Sequence, residues 1–220
     1  MAEHDYLVKM SGISKSFPGV HALDNVDFDL RPGEIHCLVG ENGAGKSTLM
    51  RILSGAEQPD RGTIEIGGQQ YDELNPLRSH ELGIATIYQE TDLVMPMSVA
   101  LNIFLGHEPA SRIGFVNRRQ LNRRARRLMS DFGLDIRPQT PVRLLSPANQ
   151  QLVQIVKALS RNNRVLVLDE PSAKLAANEI EYLFTLLRRF KEQGLGIIYI
   201  SHHLNEVLQI GDRVTVLRDG

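Results

Sequence analysis

The sequence predicts an α/β fold: a mostly parallel core sheet with flanking helices, joined by an antiparallel β portion and a helical portion. Three observations predict it. In the last third of the chain, short apolar runs alternate with amphipathic stretches at helical spacing, the pattern of a parallel sheet covered by helices. In the first third, alternating polar and apolar residues sit between glycine turns, the pattern of antiparallel strands. Within that first third, Gly40-Glu41-Asn42-Gly43-Ala44-Gly45-Lys46-Ser47-Thr48 follows one buried run and opens a helix. This is the strand, turn and helix start required of a phosphate-binding loop of the form G-x-x-x-x-G-K-[ST].

In chain order, Tyr6–Phe17 alternates roughly, with Val8, Met10 and Ile13 apolar, and Val26–Leu30 alternates cleanly before the turn Arg31-Pro32-Gly33. Glu34–Val39 reads as the buried strand before the phosphate loop, and Leu49, Ile52 and Leu53 read as one face of the helix after it. Thr63-Ile64-Glu65-Ile66 between glycines is a half-exposed strand, and Ile84–Tyr88 is another short one, ending at Gln89. The section from about 91 to 161 is mostly helical. Leu121, Ala125, Leu128, Met129 and Phe132 lie at helical spacing behind a capping Asn117, and the same helix carries Arg118, Arg119, Arg123, Arg124, Arg126 and Arg127. Those arginines read as a solvated face, or as a surface for an anionic partner such as lipid head groups or nucleic acid. Pro138–Pro141 reads as a linker. Arg164–Leu168 is a buried strand leading to Asp169-Glu170-Pro171, and Ile180 to Phe190 is an amphipathic helix stopped by Gly194. Gly196–Ile200 leads to Ser201-His202, and Val214–Leu217 is the last strand.

Composition sets bounds. The 220 residues suffice for one sizeable domain, and 42% hydrophobic with 23% charged residues is ordinary for a soluble globular chain. A formal net charge of −1 argues against general affinity for nucleic acid. Cys37 is the one cysteine, so no internal disulfide forms and a reducing compartment fits. No apolar run approaches a membrane span, so work at a membrane would require a partner.

The chemistry-bearing residues fall past strand ends, where a parallel sheet gathers its ligands. The loop glycines let the backbone wrap phosphates, and the amides of the helix start point at them. Lys46 would reach the β and γ phosphates and the Ser47 hydroxyl would ligate Mg²⁺. Asp169 would hold the metal, through water, and Glu170 would polarise the attacking water as a general base. His202 can donate to the γ-phosphate or steady that water. Gln89, also past a strand end, can sense the metal or the water.

The order of the Gly40–Thr48 loop, Gln89, Leu145-Ser146-Pro147-Ala148-Asn149-Gln150, Asp169-Glu170-Pro171 and Ser201-His202 resembles the ATP-binding cassette ATPases over essentially the whole chain. The resemblance implies the P-loop NTPase fold of cassette type as one nucleotide-binding domain, 1–220, with a helical subdomain at about 91–161. It implies ATP and Mg²⁺ as cofactors, Phe17 stacked on adenine, and Ser146 capping the γ-phosphate held by a second cassette. Phe17-Pro18-Gly19-Val20-His21-Ala22-Leu23, the phosphate loop, Ile87-Tyr88-Gln89-Glu90, Asn102-Ile103-Phe104-Leu105-Gly106 and Tyr199-Ile200-Ser201-His202 are most similar to the ATPases of bacterial monosaccharide importers. That implies membrane permease subunits and, indirectly, a periplasmic solute-binding protein as partners. It also implies a place on the inner face of the cell membrane, and a chain that is the first of two tandem cassettes.

The chain departs from that family at two places. Pro147 and Ala148 replace the two glycines of the usual Leu-Ser-Gly-Gly-Gln signature and Asn149 its glutamine, so residue 147 has no amide to give, although proline suits a first helical turn. Ala176 stands where the family often has an aspartate. The alternative readings are a soluble cassette switch acting on ribosomes or nucleic acid, and a regulatory cassette with weak hydrolysis. The absence of a long coiled-coil insertion argues against a repair-type switch, and the intact Glu170 argues against a regulatory one.

Overall fold

The computed structural model describes residues 5–88, 92–109, 115–161 and 163–220. In chain order the strands and helices begin with β1 (Val8–Phe17), β2 (Val20–Leu30), β3 (Ile35–Val39), α1 (Lys46–Leu53), β4 (Arg61–Ile66), β5 (Gln69–Tyr71), α2 (Pro76–Glu81) and β6 (Ile84–Ile87). Next come α3 (Val99–Ile103), α4 (Arg118–Asp131), a 3₁₀ turn at Val142–Leu144, α5 (Pro147–Leu159), β7 (Val165–Asp169), α6 (Ala177–Glu192), β8 (Gly196–Ile200), α7 (Leu204–Ile210) and β9 (Arg213–Val216). They pack as two compact units, one of residues 1–89, 163–171 and 187–220, the other of 90–162 and 172–186.

The first unit holds both sheets. Strands β6-β7-β8-β3-β9 form a parallel sheet in that order, and β2-β1-β4-β5 an antiparallel one. Strands β3 and β8 are buried at every position, and β7 at all but Asp169. Burial on both faces is why these three read as unbroken apolar runs. The last strand differs: β9 is the sheet edge among the described residues, and its side chains alternate between half-buried and exposed. Helix α1 supplies Leu49, Met50, Ile52 and Leu53 to one core with Met10, Ile13, Phe28 and Ile64 of the antiparallel sheet and Leu38, Val167 and Ile198 of the parallel one. Each such buried aliphatic contributes about 1.5–3 kcal/mol, so the helix behind the phosphate loop is fixed from both sides.

Strand β2 runs back to Val20, well before the Val26–Leu30 stretch visible in the sequence. Its register with β1 shifts three times between Met10 and Ser16, and Asn25 takes a left-handed φ of 54°. Each bulge resets the in–out alternation, so the period-two signal disappears there.

A charged cluster ties the antiparallel sheet to β3 and β9. His36 is 2% exposed and stacks on Phe28 with ring centroids 4.6 Å apart. Its Nδ1 donates to the Asp29 carbonyl at 2.7 Å, and Nε2 lies 2.7 Å from the Thr215 hydroxyl. Arg213 joins Asp29 and Glu34 beside it. Burial pushes the His36 pKa below its ordinary 6.5, and the Arg213 charge adds to that, against the Asp29 carbonyl and the Glu34 and Asp29 charges. As pH falls below about 6.5 the unfolded chain takes up this proton first. Stability from the neutral ring is therefore present above that pH and lost as pH falls toward the folded pKa. The midpoint of thermal unfolding is expected to drop between pH 7 and 5.5 more steeply in the wild type than in His36→Gln. Parallel curves would show that His36 takes no part.

In the second unit, α4 buries Leu121, Ala125 and Met129. Asn117 caps it as expected, its side chain accepting from Gln120 N at 3.0 Å. The Pro138–Pro141 stretch is not a free linker. The carbonyls of Pro138 and Thr140 accept from Ala100 and Val99 at 2.9 Å, and Pro141 bridges Ser98. Prolines cannot donate but still accept, so a proline-rich stretch can be firmly paired. Asn102, fully buried, accepts from Val94 N at 2.7 Å and donates to the carbonyls of Val94, Met97 and Ser98.

Candidate functional site

The phosphate loop joins β3 to α1 as expected. Two of its glycines are required by space as well as by conformation. At Gly45 (φ 101°) a Cβ would lie 2.4 Å from the Ala22 carbonyl oxygen and 2.8 Å from Leu23. At Gly40 it would lie 2.2 Å from the Leu217 oxygen. Asn75, Ser98, Asn117 and Ser146 cap their helices with side chains, whereas Gly45 offers α1 none. The first amides of α1 therefore remain open to an anionic acceptor. Lys46 is 8% exposed, and its ammonium donates to the carbonyls of Gly40 at 2.8 Å and Glu41 at 2.9 Å. Those bonds hold a buried cation inside the loop's own curve. Glu41, Asn42, Gly43 and Ser47 are exposed, Thr48 half-buried and Ala44 buried.

The acidic pair ends β7, next to β8 and one strand from β3. Burial pushes the Asp169 pKa up, and the neighbouring Glu170 charge adds to that, while Lys46 and Arg51 oppose it. A carboxylate whose charged form is disfavoured by burial, with a cation in reach, gains from a further positive charge beside it. Glu170 follows in a left-handed conformation, φ 47°, with its amide on the Ile200 carbonyl at 3.0 Å. This backbone is uncommon for a glutamate, and it turns the side chain toward the next strand's loop. There Glu170 Oε1 lies 2.8 Å from His202 Nδ1. Lys46, Asp169, Glu170 and His202 thus gather at one sheet edge, as their positions past strand ends imply.

Sequence reading missed the network that braces the residues on either side of His202. Glu206 Oε2, at the start of α7, accepts from the Tyr199 hydroxyl at 2.7 Å and from Ser201 Oγ at 3.1 Å. Ser201 Oγ in turn accepts from the His203 amide at 3.0 Å, and the two histidine rings lie 4.0 Å apart. An acid in a first helical turn is common for dipole reasons alone, so nothing in the sequence marked Glu206. Arg51, whose field reaches Asp169, carried no signal either.

Three expected residues remain: Phe17, Gln89 and Ser146. Phe17 ends β1 half-buried opposite Val20, with Lys15 Nζ 5.5 Å from its ring. The hairpin that carries it continues through β2 to Ala22 and Leu23, which abut Gly45. Gln89 lies outside the described residues. Ser146 belongs to the second unit, where it caps α5 by accepting from Asn149 N at 3.3 Å, with Pro147 at the first helical position. The helix thus starts at Pro147. At the altered position 176, the Ala176 amide donates to Glu179 Oε2 at 2.9 Å.

The donor set suits Mg²⁺. Ser47 offers an exposed hydroxyl and Asp169 a carboxylate, both hard oxygen ligands. No group of three or more His, Cys, Asp or Glu among the described residues forms a metal cage.

The ABC transporter family profile matches residues 23–173. The chain is 50% identical over 220 residues to the ribose import ATP-binding protein RbsA 1 of Streptomyces avermitilis, covering all of this chain and 42% of that protein. It is 46% identical over 218 residues to the galactofuranose transporter ATP-binding protein YtfR of Escherichia coli K12, covering 99% of this chain and 43% of that one. The chain therefore spans less than half the length of these relatives. A solved dimeric ATP-binding cassette in a post-hydrolysis state, bound to ADP and Pi, superposes with a TM-score of 0.81 at 24% identity, covering 97% of this chain and 95% of that one. That likeness establishes the cassette fold.

Proposed function

The chain belongs to the ABC transporter family, and we propose that it binds Mg-ATP and hydrolyses it to power import of a sugar or related small solute through a membrane permease. The observation that carries the chemistry is the Glu170–His202 pair, 2.8 Å apart, beside Asp169 and the phosphate loop. The loop amides and Lys46 would bind the β and γ phosphates, and Phe17 would stack on the base. Asp169 and Ser47 would hold Mg²⁺, with Gln89 as a further contact, and the ion would supply charge neutralisation on the phosphates. Glu170 orients a water in line with the γ-phosphate and takes its proton, while His202 fixes the Glu170 carboxylate and reaches the γ-phosphate. Relatives named for ribose and galactofuranose import support a sugar as cargo, over a ribosome or nucleic-acid switch.

The partners we propose are permease subunits on the inner face of the membrane, with a periplasmic solute-binding protein beyond them, and a second cassette following in the full polypeptide. Relatives more than twice as long support the tandem arrangement, and the dimeric solved cassette supports pairing. Ser146 would cap the nucleotide on that second cassette. Pro147 has no N–H to donate, and Ser146 Oγ already serves its own helix. Phosphate release by the 220-residue chain alone is therefore expected to be slow, rising about tenfold or more when a cassette with an intact Leu-Ser-Gly-Gly-Gln signature is added. Brisk, concentration-dependent hydrolysis by the chain alone would show that its own altered segment suffices.

A further inference from the structure

The ATP site leaves one feature of the molecule unused. In fourteen residues α4 carries six arginines, and its only acid is the terminal Asp131. All six are exposed, and none forms an ion pair among the described residues. A solvated helix face normally alternates acids with bases at a spacing of three or four residues. Here Arg119, Arg123 and Arg127 repeat at four, so like charges stack along the axis and repel. These three occupy the side opposite the buried stripe Leu121, Ala125 and Met129, with Arg126 on its flank. Just before the helix, Phe115 is 73% and Val116 43% exposed.

We propose that this face of α4 binds the surface of an anionic lipid bilayer. Three guanidinium groups along one helix side, with a fourth on its flank, match a plane of phosphate head groups. Nucleic acid fits less well. The chain's formal net charge is −1, so the positive field is confined to this helix and cannot track an extended polyanion. No helix among the described residues is long and apolar enough to cross a membrane, so the contact is one of surface apposition. The inference does not rest on the ATP site and is tested without nucleotide, so either can fail while the other stands.

The test is co-sedimentation of the 220-residue chain with vesicles of phosphatidylcholine alone or with about one-third phosphatidylglycerol. Binding is expected only to the anionic vesicles at about 0.1 M salt and is expected to be lost at about 0.5 M. The variant R119Q/R123Q/R126Q/R127Q should bind at least about 100-fold more weakly, since each basic group near such a surface is worth about fivefold. Its Mg-ATP affinity and unfolding temperature should be unchanged. If that variant does not fold, the all-lysine version should bind as wild type and Arg123→Glu should lose roughly 25-fold. Equal binding to neutral vesicles, binding to neither, or wild-type binding by the glutamine variant overturns the proposal. Tighter binding to a short nucleic acid than to the anionic vesicles at the same salt overturns it in favour of that polymer.

Discussion

Lys46→Ala is expected to weaken Mg-ATP binding by at least about 100-fold, measured by titration calorimetry or displacement of a fluorescent nucleotide. A buried ammonium that meets phosphate oxygens makes charge-assisted hydrogen bonds of about 1.5–3 kcal/mol each, and two suffice for that loss. In the structure the same ammonium donates to Gly40 and Glu41, so the substitution also removes two ties within the loop. A loss of stability of about 1–2 kcal/mol is expected for that reason. Binding must then be measured well below the variant's unfolding transition, where loop loosening and loss of the cation can be separated. A folded Lys46→Ala chain with wild-type affinity would remove the phosphate-site assignment.

What could be read in the sequence follows from which interactions are local. The loop was legible because its function needs particular residues at fixed spacing within nine positions. Strands β3, β7 and β8 were legible because burial on both faces leaves no polar residue inside them. The first half of β2 was not, since bulges opposite Ile13 and Lys15 and the left-handed Asn25 break the alternation. Pro138–Pro141 misled for a related reason: composition reports on donors, and this stretch is held by its carbonyls. Partners far apart in the chain left no trace. Arg213 meets Glu34 across 179 positions, and only the fold brings β9 against β3. Glu206 is close to His202 in sequence, yet its role depends on a turn that aims Tyr199 and Ser201 at one carboxylate oxygen. The chemical residues at the sheet edge were therefore predictable as a set, while the groups that orient them were not.

The second large effect is expected at Glu170, where side chain and backbone make separate predictions. Glu170→Gln should bind Mg-ATP within about threefold of the wild type but turn over about 10²–10⁴-fold more slowly. The amide cannot take the water's proton, yet it keeps an oxygen where His202 Nδ1 now meets the carboxylate at 2.8 Å. Stability should hardly change, because glutamine inherits the same left-handed backbone. Glu170→Gly addresses that backbone directly. Glutamate at φ 47° carries a steric penalty of about 1–2 kcal/mol that glycine does not. Glycine's greater freedom in the unfolded chain offsets part of this. The glycine variant should therefore be no less stable than the glutamine variant, and more stable by up to about 1 kcal/mol, while equally inactive. That combination would mean the chain holds its base in a conformation that no folding requirement favours. Equal loss of binding and turnover in Glu170→Gln would instead place Glu170 on the metal or in the fold. A glycine variant clearly less stable than the glutamine one would show that the left-handed turn is held by the side chain's own contacts, with His202 as the anchor.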